Sequence, residues 1–123
     1  MGRISMKFED LEVWKRATKL SGNIYKELKG LKDYGFKDQI TRSGLSIASN
    51  IAEGFEKLSQ KENIVFLSYA KGSCGELRTQ IYVGMDIGYI KQEVGENWMR
   101  EAREISAMLG ALLKTKRSFL KNT

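Results

Sequence analysis

The sequence contains no proline, no histidine, one cysteine and no apolar run longer than a few residues. Without a second thiol, Cys74 has no disulfide partner within the chain. Without imidazole, the usual nitrogen ligand for a metal and the commonest general base are both missing, which argues against metal sites, cofactors and Ser-His or Cys-His hydrolase chemistry. The short apolar runs do not reach the length of a membrane span, and residues 1–7 lack the apolar block of a secretion signal, so a cytoplasmic protein with no membrane association is expected. Glycines are scattered and no linker or low-complexity stretch interrupts the chain, so residues 1–123 are read as one domain.

What is present is charge and periodicity. The 21 basic and 15 acidic side chains leave a net charge of +6, which fits either a solvated surface or a polyanion partner. At about 100° per residue, apolar positions fall on single faces of four segments, near residues 10–31, 34–57, 60–91 and 92–120. The first face is Val13, Ala17, Leu20, Ile24, Leu28 and Leu31; the second is Phe36, Ile40, Gly44, Ile47, Ala48, Ile51 and Phe55. Asp33 is placed to cap the second helix, and Ser59-Gln60-Lys61-Glu62 reads as a capping box opening the third. The fourth helix turns Val94, Trp98, Ala102, Ile105, Met108, Leu109, Leu112, Leu113, Phe119 and Leu120 inward. Four such helices with short turns predict an all-α, antiparallel up-down-up-down four-helix bundle.

The third helix has two apolar faces. Phe66, Leu67, Ala70, Cys74, Leu77, Ile81 and Met85 supply a core stripe, with Cys74 read as a small hydrophobe rather than a nucleophile. About half a turn away lie Val65, Tyr69, Val83, Ile87 and Ile90, which a lone protomer would leave wet unless Trp14 and Tyr25 widened the core to cover them. Burying a large aliphatic side chain is worth about 1.5–3 kcal/mol, so these residues are assigned to a subunit interface of a homo-oligomer. Gly44, Gly72, Gly75, Gly84 and Gly88 each cost about 1 kcal/mol of helix propensity, for which close helix approach is the expected compensation.

Three stretches, "FEDLEVWKRA" (8–17), "DQITRSGLSIASNIAEGF" (38–55) and "FLSYAKGSCGELRTQIYVGMDIGYI" (66–90), resemble the four-helix-bundle family of 23S rRNA-intervening-sequence proteins. That family is similar to the accessory variability determinant of diversity-generating retroelements, a basic, barrel-like pentamer that binds nucleic acid and a reverse transcriptase. The resemblance implies a ring-like homopentamer here. Arg42, Asn50, Glu53, Ser73 and Glu76 match the family's polar positions, and they are expected to form a hydrogen-bonded network that sets register within or between subunits.

Three functions compete. The first is non-enzymatic binding of RNA or DNA through phosphate contacts from Lys15, Lys19, Lys26 and Lys29 of the first helix and Arg100, Arg103, Lys114, Arg117 and Lys121 of the fourth, all opposite their core faces. The second is a scaffold or accessory subunit that recruits a protein partner such as a reverse transcriptase. The third is acid/base catalysis by Glu53 and Glu76, which lack any accompanying nucleophile, metal ligand or phosphate loop and so give way to a structural role.

Overall fold

The computed structural model describes residues 7–121, with Lys121 described by its backbone only. A short 3-10 turn, Phe8–Asp10, leads into four helices: α1 (Glu12–Glu27), α2 (Tyr34–Glu56), α3 (Gln60–Asp86) and α4 (Gln92–Lys121). No strand occurs among the described residues. Neighbouring helices pack in the order α1–α2–α3–α4 and α4 returns to α1, while among the described residues no diagonal pair brings its Cα atoms within 8 Å, which makes a four-helix bundle.

The helix ends have local causes. Asp33 Oδ1 accepts from the Phe36 N–H at 3.1 Å, and Ser59 Oγ accepts from the Glu62 N–H at 3.1 Å, so both expected caps form. Each satisfies a donor that the first helical turn leaves unpaired. The Glu62 carboxylate forms no reciprocal bond among the described residues, so only half of the capping box is realised. The first helix ends at Glu27 rather than near residue 31, and residues 28–30 continue as a turn that keeps Leu28 buried.

The third helix ends at Asp86, short of the expected end near Lys91. Gly88 has φ +82°, its N–H bonds the Met85 carbonyl at 3.3 Å, and the Tyr89 N–H bonds the Gly84 carbonyl at 2.9 Å. This pair of bonds closes a helix through a left-handed residue, a conformation open to glycine without a Cβ clash. The reversal turns Ile90 inward, where it is 3% exposed. Ile90 therefore belongs to the core and not to the subunit interface to which a continuous helix assigns it.

Elsewhere most of the expected stripes meet, with Ile24, Ile40, Ile47, Ile51, Cys74, Leu77, Ile81, Ile105 and Leu109 fully buried, whereas Phe55 and Phe66 stay half-buried outside the core cluster, Phe66 lying edge-on to Tyr69 with the Lys57 ammonium over its ring. Phe119 does not join the core and is 60% exposed. The 30 residues of α4 outrun the 16 of α1, so its last turns have no α1 surface to pack against. The glycines also divide. A Cβ on Gly44 would lie 3.3 Å from Ile24 Cδ1 and one on Gly84 would strike Ile90, so both mark close approaches; Gly72 and Gly75 have nothing within 4 Å and face open space.

Candidate interaction surfaces

Eight of the nine basic residues expected to meet a polyanion, Lys15, Lys19, Lys26, Lys29, Arg100, Arg103, Lys114 and Arg117, are exposed; the side chain of Lys121 lies outside the described residues. Their surroundings separate them into two groups. Lys15 and Lys19 border a groove of about 660 Å³ between α1 and α4, where Lys15, Arg16 and Lys19 are matched by Glu12, Glu101 and Glu104. That groove is locally neutral. Arg16 Nε donates to Glu101 Oε1 at 2.7 Å, and its Nη2 donates to Glu104. The hydrogen bond from Arg16 holds the Glu101 carboxyl below its ordinary range, and both glutamates raise the guanidinium pKa. Lys26 and Arg100 stand in an adjoining groove with Glu27 and Glu93.

The far half of α4 is different. Beyond Glu104 it carries no acidic residue, while Lys114, Lys116 and Arg117 project from it and Lys71 of α3 lies alongside. Lys71 Nζ donates to Ser106 Oγ at 2.9 Å, and Lys116 Nζ donates to Asn63 Oδ1 at 3.1 Å. Among the described residues neither lysine pairs with a carboxylate, so no ion pair there offsets the positive charge. Sequence periodicity overlooked Arg16, Lys71 and Lys116, whose roles depend on which helices are neighbours. The acid-free run after Glu104 was a signal available for Lys116, and none in α3 marked Lys71.

The five polar residues assigned to a network are only partly brought together. Ser46 Oγ and Ser73 Oγ are 3.0 Å apart across α2 and α3, and Asn50 Nδ2 donates to both Ser46 Oγ and the Ser46 carbonyl at 2.9 Å. Within the protomer Arg42 instead pairs with Asp38 at 3.1 Å and Glu53 with Lys57 at 3.3 Å. Glu76 is exposed and has no partner among the described residues. Cys74 is buried, and desolvation pushes its thiol up to about 11, away from the range of a reactive thiolate.

Val65, Tyr69, Val83 and Ile87 remain 43%, 57%, 46% and 50% exposed on the outer side of α3. Trp14 is half-buried against the core of the bundle and Tyr25 is itself exposed, and Val65, Tyr69, Val83 and Ile87 stay uncovered by the described residues. No helix among the described residues is long and apolar enough to cross a membrane.

Comparison with known proteins supplies the family. A crystal structure of a protein of unknown function from the S23 ribosomal protein family of Bacteroides thetaiotaomicron is similar, with 27% identity, a TM-score of 0.78, and coverage of 83% of this chain and 98% of that one. No curated protein matches. The family model for 23S rRNA-intervening sequence proteins matches residues 9–111, so the exposed α3 face, the serine–asparagine bridge and the basic far half of α4 are features of a chain that belongs to the 23S rRNA-intervening sequence protein family.

Proposed function

We propose that this protein is a non-enzymatic, cytoplasmic nucleic-acid-binding protein that works as a homo-oligomer and grips phosphate groups without reading bases. The observation that carries this reading is the half of α4 beyond Glu104, an acid-free run in which exposed Lys114 and Arg117 form no ion pair among the described residues. Assembly rests on Val65, Tyr69, Val83 and Ile87, whose burial by a second copy would recover free energy that the protomer forgoes. The helices are taken to alternate up and down, an order supported by Gly54 meeting Asn63 across the α2–α3 turn while Ser46 meets Ser73 further along. Five copies, the number implied by likeness to the retroelement accessory determinant, would carry a total of +30.

A fluorescence-anisotropy titration of mixed-sequence RNA and DNA oligonucleotides tests the binding. Affinity should show weak sequence preference and fall with salt at a log–log slope of about −0.9 for each duplex DNA phosphate neutralised. Undetectable binding at low salt overturns the proposal. Light scattering with and without nuclease tests assembly separately, since particles of only 14.0 kDa at high concentration overturn the oligomer.

A second reading, a scaffold that recruits a partner protein such as a reverse transcriptase, is favoured by one observation. The α1–α4 groove combines balanced charge with Asn23, Asn97 and Trp98, a lining better suited to a protein surface than to a polyanion. Co-purification of a partner that survives nuclease and is lost on reversing Lys15 and Lys19 to Glu would support it.

A further inference from the structure

We propose that the groove between α3 and α4 around Lys71 and Arg117 is a phosphate subsite that seats one phosphodiester of a bound nucleic acid. The proposal rests on the nucleic-acid reading above and assigns it a place. The groove has a volume of about 530 Å³ and is lined by Ser68, Lys71, Gly72, Gly110, Leu113 and Arg117, with no acidic side chain among them. It differs in this from the α1–α4 groove, where three bases face three acids.

The two cations are prepared differently. Lys71 Nζ is held by the hydroxyl of Ser106, which is 8% exposed, so the ammonium is positioned by a neutral group. A lysine ammonium has three donors, so two remain for a phosphate oxygen. Arg117 forms no ion pair or hydrogen bond among the described residues, and its planar fork suits two phosphate oxygens at once. Ser68 adds a hydroxyl-bearing side chain to the lining.

The glycines give the groove its width. Gly72 has nothing within 4 Å of where a Cβ would stand, and Gly110 would meet only the Lys71 stem, at 3.6 Å from Cε. Neither is required by packing between helices, yet each carries a helix-propensity cost of about 1 kcal/mol. A side chain at either position would narrow the space in which Lys71 and Arg117 share an anion.

The test uses the full chain and labelled RNA and DNA oligonucleotides, with circular dichroism to check that each variant is folded. Lys71→Met combined with Arg117→Gln keeps the lysine stem over Gly110 and should weaken binding roughly tenfold at low salt while reducing the salt slope by about 1. Ser68→Asp, which leaves both cations in place but adds a carboxylate, should weaken binding similarly. Lys32→Gln combined with Lys91→Gln removes the same charge from exposed turn positions outside the groove and should cost less than about threefold. Equal losses in the two charge-matched pairs overturn the subsite while leaving nucleic-acid binding standing; a wild-type chain that binds no oligonucleotide overturns both.

Amide chemical shifts distinguish the source of the phosphate. Oligonucleotide should shift Lys71, Gly72 and Gly110 in the wild type, whereas inorganic phosphate at matched ionic strength should leave them nearly unmoved. Shifts produced by inorganic phosphate alone, with no change in oligonucleotide affinity on substitution, would make this a free-phosphate site and overturn the proposal.

Discussion

Two alanine substitutions in one helix should change stability in opposite directions. A methyl at Gly84 would lie 2.8 Å from Ile90 Cγ1 and 3.0 Å from Phe36 Cζ, and closer still to Ile90 Cδ1. Ile90 has little room to retreat, because it is 3% exposed in the core and the clash reaches Cγ1 as well as the tip of the side chain. Forcing a methyl into such a site costs about 1–3 kcal/mol, and three close approaches put Gly84→Ala in the upper part of that range. The gain from replacing glycine by alanine in a helix is about 1 kcal/mol, so the net loss should be about 1–2 kcal/mol. Gly75→Ala takes the same helical gain with nothing within 4 Å, so it should stabilise by about 1 kcal/mol. For 123 residues, with an unfolding entropy of about 2.1 cal/mol/K per residue, 1 kcal/mol corresponds to about 4 °C in Tm. Thermal melts and urea titrations at one dilute protein concentration should therefore separate the variants by about 8–12 °C, with wild type between them. Shifts of equal sign and size would refute the reasoning, since helix propensity would then be the only difference that matters.

Arg16→Met should remove the α1–α4 clasp and cost about 1 kcal/mol at neutral pH, a figure already reduced for the solvent screening of these part-exposed groups. The Glu101 pKa is lowered in the fold, so its pairing adds stability above the unfolded value near 4.5 and loses it as pH falls through the folded value; urea titrations should show the wild-type advantage shrinking over that acid range and not at alkaline pH. Cys74, buried and with its thiol pushed up to about 11, should react with Ellman's reagent slowly in the native protein and rapidly in guanidinium, and fast native labelling would contradict the burial.

The bundle was legible because its signals are local and periodic. Asp33 and Ser59 cap the helices they precede, and Val13, Ala17, Leu20, Ile24 and Leu28 recur at the helical interval and are all buried. Ile90 was misplaced because Gly88 resembles the other helical glycines until its left-handed φ is known. The fate of Arg16 depends on α4 lying beside α1, which no pattern within α1 encodes. The polar cluster was half legible: Ser73 and Asn50 meet at Ser46, whereas Arg42 and Glu53 find partners one turn away on their own helix. Short-range charge pairing competes with contact across helices, and spacing alone does not decide which wins.

The Asn63 side chain ties a local corner of the bundle to a distant part of the chain. Its amide donates to the Gly54 and Lys57 carbonyls at 2.7 and 2.9 Å, fastening a corner only 6–9 residues around, while its oxygen receives Lys116 from 53 residues away. Short loops close at a lower entropic cost than long ones, so the α2–α3 corner is able to form while the tail of the chain is still searching. The last turns of α4 then dock onto a surface that already exists, and pulling or heating should peel away that tail before the corner opens.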